Sequence, residues 1–417
     1  PFTCQAEAPG LTERGTVLAS PRLRCAEARV LNPRKVLLRV DLAVDVTACQ
    51  PSERPVCSGV TDCGTENLCQ KQYKGEDYLL CAVQEKPFTF SDQVRLQSGS
   101  GEAPVLLAAR VQPVCTESKL IGSKLIFKGE VELYFLLQEP GGGLSAGHES
   151  MPFSQIIEAA GAAEEGECQV DVEVASFRCE QDPADGREVD MELELLAQAQ
   201  VRCRRPVVLL QDLYSTSNLM EAERENQPLC RLVEQSVRPQ LLETGEMVRS
   251  VVDARLTLGQ VRQSREGKEV VLTIESWVTV LYLDENELVQ CVRRAIPVSC
   301  RLDCPEGARC SCRCVCPGEV FAAPAAGGVE VRFTVEFHCL TTETAAVPAV
   351  TSAKLGEARS AGEGARPSVV LRLPAPGEEL WDIAKAHGTT VEQILQANEL
   401  EEDALPTGRM LLIPSCR

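Results

Sequence analysis

Alternation of apolar and polar positions dominates this chain. Across Lys124–Phe135, Leu125, Phe127, Val131, Leu133 and Phe135 share one face, while Lys128, Glu130 and Glu132 share the other. A period of two predicts a half-buried β-strand. Gly129, in its middle, predicts a bulge or a close backbone approach. The habit recurs at Val36, Leu38, Val40, Leu42, Val44 and Val46, and again at Val270, Leu272, Ile274, Val278 and Val280. After each strand comes a short marker: Pro87-Phe88-Thr89, Pro152-Phe153-Ser154 and Pro297-Val298-Ser299. Their order predicts an internal repeat separated by insertions.

Val170, Val172 and Val174, then Val189, Met191, Leu193 and Leu195, then Val329, Val331, Phe333, Val335 and Phe337 add further strands. Leu232, Val233 and Val237 predict one short helix. The expected fold is mainly β, built of tandem antiparallel β-sandwich or barrel-like modules. The modules are expected over 1–100 (with a Cys-rich insertion), 101–218 and 219–340. Residues 341–366 are small, polar and punctuated by Pro and Gly, the composition of a linker.

Residues 367–417 follow another pattern. Val369, Leu371 and Leu373 alternate. Leu380, Ile383 and Ala384 then take helical spacing, closed by Gly388 as a C-cap. Thr390 with Gln393 has the order of a capping box and opens a second helix through Val391, Ile394 and Leu395. Leu411, Leu412 and Ile413 form a last strand, giving a small βααβ unit.

Charge and composition then narrow the function. Among 417 residues, 42 Lys and Arg face 61 Asp and Glu, a formal charge of −19. An acidic chain repels phosphate backbones, so no nucleic-acid partner is expected. No stretch approaches the roughly 20 apolar residues that cross a bilayer, so no membrane insertion is expected. Pro1-Phe2-Thr3-Cys4 opens without a basic segment leading into an apolar one, so no signal peptide is visible there.

The motifs Gly377-Glu378-Glu379-Leu380-Trp381-Asp382-Ile383-Ala384, Gly388-Thr389-Thr390-Val391, Gln396-Ala397-Asn398, Leu405-Pro406-Thr407-Gly408 and Leu412-Ile413-Pro414 resemble a LysM domain. That resemblance implies binding of N-acetylglucosamine-containing glycan such as peptidoglycan. The implied contacts are Gly377, Glu378, Glu379 and Leu380 in the first loop, and Asn398, Glu399, Leu400, Leu405 and Pro406 in the second. Backbone groups would bond the acetamido group while apolar side chains cover the ring. The family's Gly-Asp-Thr is Gly-Glu-Glu here, which removes a hydroxyl that caps the first helix. A LysM that docks on protein stays open as the other reading, and for Ile383 core packing is the expectation.

Lys119 to Tyr134, with its Lys128-Gly129-Glu130 centre, followed by Pro152-Phe153-Ser154, resembles the SPOCS (DUF3794) module of spore-forming bacteria. Tandem SPOCS modules with a terminal LysM resemble clostridial spore-coat morphogenetic proteins. The resemblance implies assembly and anchoring in the spore envelope, at the coat–cortex interface or spore surface, with other coat morphogenetic proteins and copies of itself as partners. It carries no catalytic residue.

Twenty-one cysteines are many for a cytosolic chain. On a strand, Cys310, Cys312, Cys314 and Cys316 point to one face. Neighbours two apart lie about 6.5–7 Å from one another, at the limit for a disulfide. They should meet other strands, with Cys300, Cys304, Cys291 or Cys339 as partners, or other chains, or metal. Cys49, Cys57, Cys63, Cys69 and Cys81 crowd a polar insertion that disulfides would order. Cys416 is a candidate intermolecular thiol. Disulfides, a thiolate metal site and buried thiols all remain open, although the spacing lacks the paired knuckles of zinc sites; neither metal nor cofactor is expected.

No nucleophile elbow, zinc-protease pair, phosphate loop or dinucleotide fingerprint is present. His148 falls in a Gly-rich stretch and should be solvated. His338 and Cys339 are adjacent on a strand and point apart. His387 ends a helix, where a cation suits the dipole. The expectation is a non-enzymatic assembly protein that binds glycan through its LysM. The alternative is a self-polymerising, disulfide-locked filament subunit.

Overall fold

The computed structural model describes residues 3–61, 67–97, 102–162, 166–244, 250–284, 286–325, 328–359, 368–400 and 408–414. Strands β1 (Thr16–Asn32) and β2 (Lys35–Cys49) form a hairpin. Then come β3 (Leu68–Arg95), β4 (Val105–Ile121), β5 (Lys124–Gln138), β6 (Leu144–Glu158), β7 (Glu167–Gln181) and β8 (Glu188–Ser215). The series continues with β9 (Asn218–Thr244), β10 (Ser250–Glu266), β11 (Glu269–Leu283), β12 (Val289–Asp303), β13 (Arg309–Val315), β14 (Phe321–Ala325) and β15 (Gly328–Ala358). The C-terminal module is β16 (Val369–Arg372), α1 (Leu380–His387), α2 (Val391–Asn398) and β17 (Leu411–Pro414). The mainly β architecture and the βααβ end both match the sequence expectation.

The repeat is visible in element lengths. Strands β4, β5 and β6 have 17, 15 and 15 residues and form one antiparallel sheet. Strands β10, β11 and β12 have 17, 15 and 15 residues and form another. Each is accompanied by a second sheet, β3-β8-β7 in one case and β13-β15-β14 with β9 on β15 in the other. The hairpin β1–β2 has the same 17 and 15 residues but only two strands. Among the described residues the three-stranded sheet therefore occurs twice, and its opening hairpin once more.

The middle strands bury what their alternation predicts. Leu125, Phe127, Val131 and Leu133 are each 0% exposed, as are Val270 and Leu272. One core gathers β5 with Met191, Leu193 and Leu195 of β8, and the other gathers β11 with Phe333, Val335 and Phe337 of β15. Pro152 faces Glu130 and Pro297 faces Glu275 at the same register on β6 and β12. Both are edge strands, where a missing N–H costs no ladder bond.

Four readings need correction. Pro87-Phe88-Thr89 does not sit on a third strand beside β2; it lies within β3, which pairs with β8. Sheet membership thus joins β3 to the second module, across the expected boundary at 100. Leu232, Val233 and Val237 form no helix but lie on strand β9, which pairs with β15. Residues 341–358, expected as linker, continue β15, and Val347, Ala349 and Val350 are buried; small residues here serve close strand packing. The rest of the expected linker, from 360 to 366, lies outside the described residues.

Compact packing divides the chain into two units. The first comprises 1–52, 78–204 and 230–343, holding both cores described above and the β1–β2 hairpin. Within it, Arg110 of β4 reaches Asp253 of β10 at 3.3 Å and Arg313 of β13 pairs with Asp171 of β7. The second unit comprises 53–77, 205–229 and 344–417. In it, halves of β3, β8, β9 and β15 make a platform whose interior includes Leu209, Leu210, Leu213, Leu229, Val347 and Val350.

Gly129 is a close approach, as expected. A Cβ there would lie 2.1 Å from the Val114 carbonyl oxygen and 2.5 Å from the Phe153 ring. Opposite it, β4 carries the bulge, where the register slips between Cys115 and Glu117. Phe153 lies over the bare backbone and packs against Phe88 and Phe127, with ring centroids 5.6 and 6.2 Å away. Gly129→Ala should therefore lower stability by about 2 kcal/mol through overpacking, read as a fall in the melting temperature. Gly141→Ala, where a Cβ meets nothing within 4 Å, should leave it unchanged. Equal melting temperatures for the two variants would contradict the packing account.

Candidate functional site

The C-terminal module builds the first candidate site. Thr390 Oγ1 accepts the Gln393 backbone N–H at 3.2 Å, and the Gln393 side chain accepts the Thr390 N–H at 3.3 Å, completing the capping box. Gly388 closes α1 with φ of 65°. The other cap bears out the departure noted in the sequence: Glu379 is the N-cap of α1 and makes no capping bond. Its carboxylate pairs with Lys71 of the platform.

The expected glycan contacts separate into groups. Gly377, Glu379 and Glu399 are exposed, with Gly377 at φ 79° and Glu399 at φ 52°. Glu378 is held by Arg372 at 2.5 Å and accepts the Ala375 N–H at 3.0 Å, which fixes the first loop. Leu380 is 2% exposed and belongs to the core with Ile383, Ala384 and Ile394. Asn398 is 4% exposed and acts as a missing strand neighbour. It donates to the carbonyls of Ile394 and Leu412 at 2.8 and 2.7 Å and accepts the Leu412 N–H at 2.7 Å. These two side chains serve the interior, so at Leu380 and Asn398 a ligand meets backbone and not side chain. Leu400 packs partly against the core, and Leu405 and Pro406 lie outside the described residues.

What α1 rests on is not legible from its own residues. Asp212, on the platform half of β8, accepts from Trp381 Nε1 at 2.8 Å and from Lys385 Nζ at 2.7 Å, and also pairs with Arg224. Tyr214, two residues on and therefore on the same face, donates its hydroxyl to the Thr389 carbonyl at 2.7 Å and meets Trp381 edge-on at 4.9 Å. The aromatic ring of the LysM-like segment is thus spent on the platform. Sequence reasoning missed Asp212 and Tyr214 because strand alternation marks a face without naming what covers it.

His387 also differs from expectation. Burial and the neighbouring Arg372 hold its pKa below the usual imidazole value. Arg372 can only donate, so His387 Nε2 accepts at 3.1 Å and the ring is neutral. His148 is not loose: it lies on β6, bonded to Glu132 at 2.6 Å and Glu319 at 2.8 Å, and stacked on Tyr134. It helps line a cleft of about 940 Å³ in the first unit, with Arg22, Arg110, Asp171 and Arg313. His338 bonds Glu336 at 3.1 Å.

The cysteines form the second candidate. Cys310, Cys312 and Cys314 turn inward on β13, in the core with Cys300, Cys304 and Cys339. Cys312 lies directly across from Cys339, with sulfurs 3.6 Å apart. Cys316 donates to the Gly318 carbonyl at 3.4 Å, and Cys291 is exposed. The N-terminal group is not one cluster. Cys69 and Cys81 lie on β3 instead of a loop, Cys69 against the LysM-like core and Cys81 against the core of the second module. Cys57 packs near Leu210 and Leu213, and Cys49 ends β2. Cys63 and Cys416 lie outside the described residues. Among the described residues, no group of three or more His, Cys, Asp or Glu side chains is arranged to hold a metal.

Crowded thiols resist ionisation. The bond with Cys339 and burial push Cys310 up, and the bond with Cys314 pushes Cys312 up. Cys339 is lowered by Cys310 but raised more by Cys312 and burial, reaching about 12.

The chain matches the LysM domain family over residues 375–414 and the SipL, SPOCS domain family over residues 105–182. It therefore carries a SPOCS domain and a C-terminal LysM domain, both of them binding or structural domains without catalytic function. Comparisons with curated proteins and with solved structures returned no significant match.

Burial would raise the pKa of Asp212, but bonds from Lys385, Trp381 and Arg224 outweigh it and hold the carboxyl below its ordinary 3.8. A depressed carboxylate contributes stability above its unfolded pKa and loses it as pH falls through the folded one. Asp212→Asn should cost the docked LysM about 2 kcal/mol, measured by urea unfolding on Trp381 fluorescence in a Trp277→Phe background. The parent should show a matching loss only below about pH 4, and a parent curve flat through that range would contradict the assignment. Separately, alkylation at pH 8 should be at least about tenfold slower at Cys310, Cys312 and Cys339 than at exposed Cys4 and Cys291, because the thiolate is the nucleophile. Peptide mass spectrometry reads this, and equal rates in the native protein would refute the thiol cluster.

Proposed function

We propose that this protein is a non-enzymatic anchoring and assembly component of the spore envelope. Its LysM would bind N-acetylglucosamine-containing glycan, with peptidoglycan as the ligand, while its β modules bind protein neighbours or copies of the chain. The LysM match supports glycan binding and the SPOCS match supports a role in sporulation at the cell wall. The observation that carries the reading is the division of labour in the LysM. The α1 face holds the platform through Trp381 and Lys385, and the loop residues Gly377, Glu379 and Glu399 stay exposed. Glu379 is shared, since its carboxylate also pairs with Lys71 of the platform, while Gly377 and Glu399 lie away from the Asp212 contacts, so the protein-docking reading and the glycan reading are compatible.

Loops built this way suit a neutral, amide-bearing sugar. With Leu380 and Asn398 turned inward, recognition falls to backbone donors and acceptors, which can match an acetamido group without a charge on the ligand. The net charge of −19 disfavours an anionic polymer held by charge alone.

The full chain should sediment with purified peptidoglycan, and soluble N-acetylglucosamine oligomers should release it. Asp212→Asn should weaken the platform contact before it weakens sedimentation. Full-length protein that remains in the supernatant, with the LysM folded by Trp381 fluorescence, would overturn glycan binding.

A further inference from the structure

The β1–β2 hairpin repeats the opening of the two full modules without their covering. By length and start, Val36, Leu38, Val44 and Val46 of β2 occupy the positions of Leu125, Phe127, Leu133 and Phe135 on β5. The β5 residues are 0 to 4% exposed, whereas Val36 is 55%, Leu38 69% and Val40 55% exposed. β5 and β11 each pair with a third strand along all 15 residues, while among the described residues β2 pairs only with β1. The β1 strand is engaged elsewhere in its unit: Ala19 accepts from Gln198 at 3.2 Å and Ala26 accepts from Arg293 at 3.4 Å. Along β2, Asp45 accepts from Gln260 at 2.9 Å, and the stretch from Lys35 to Leu42 is exposed throughout.

An open strand edge beside an exposed apolar face recruits another strand, and the sequence of β2 specifies which. Set antiparallel to itself with Val40 facing Val40, Leu38 meets Leu42 and Val36 meets Val44, all on the apolar face. On the other face, Arg39 meets Asp41 and Lys35 meets Asp45, in both directions. Every charge on the strand from Lys35 to Asp45 finds its opposite. Sliding by two residues puts Arg39 on Arg39 or Asp41 on Asp41, so like charges penalise the neighbouring registers. A slip of one residue would turn apolar positions onto charged ones.

We propose that β2 pairs with β2 of a second copy of this chain, in that register, to make a four-stranded sheet across a two-fold axis. The proposal rests on the reading of the β modules as association modules and names their partner surface. The contact is isologous and closes on itself, so it yields a dimer and, alone, no filament.

The full chain is tested by analytical ultracentrifugation, with peptidoglycan sedimentation as the independent check that each variant is folded and that the LysM reading holds. The parent should be a dimer. Arg39→Asp alone and Asp41→Arg alone each set two like-charge pairs across the axis and should raise the dimer Kd at least about tenfold. Mixing the two variants restores Asp opposite Arg at both places, so the mixture should form a heterodimer that neither forms alone. A parent that stays monomeric while still binding peptidoglycan would overturn both this pairing and self-association, leaving glycan anchoring intact. Dimers unaffected by either substitution would overturn the β2 edge alone, and a β2 edge that pairs only with a different protein would do the same.

Discussion

A strand that is apolar on one face is stable only with neighbours on both edges and a lid over that face. Strands β5 and β11 meet all of these conditions, and most of the first unit is organised to provide them. The long strands β8 and β15 supply the lids, and β6 and β12 close the second edges with prolines placed where a backbone donor is dispensable. Strand β2 shares the pattern of β5 but, among the described residues, has a neighbour on one edge only and leaves Val36, Leu38 and Val40 uncovered. The same rule that builds the modules thus marks where the chain is incomplete by itself.

The second unit solves a different problem. A module of roughly fifty residues has a small core and gains from an external support. Here the support is the platform half of β8. Asp212 gathers Trp381, Lys385 and Arg224, and Tyr214 adds a buried hydroxyl bond to Thr389. Asn398 then ties α2 to β17 from inside. These contacts orient the LysM and, apart from the Lys71–Glu379 pair, use residues other than the exposed loop positions, so anchoring by glycan and attachment to the β-scaffold need not compete.

What could be read from the sequence was whatever local pattern dictates. The alternation in β5 and β11, the Thr390–Gln393 capping box, the Gly388 C-cap and the close approach at Gly129 are each fixed by a few adjacent residues. What could not be read was partnership. Pro87-Phe88-Thr89 looks like Pro152-Phe153-Ser154, yet β3 pairs with β8, because sheet order depends on segments a hundred residues away. Thr341 to Ala358 has a linker's composition but a strand's surroundings. The β, α, α, β order of the LysM was legible, but Leu380 and Asn398 turn inward, since residues beside a loop in so small a module must also make its core.

Hydrogen exchange of the full chain, with and without an N-acetylglucosamine oligomer, tests the account most directly. Protection on adding the sugar should appear at the backbone amides of 377–380 and 398–400 and leave the later α1 amides, from Asp382 to His387, unchanged. Protection along that later part of α1, or at neither loop, would contradict a LysM that holds glycan with one surface and its own scaffold with another.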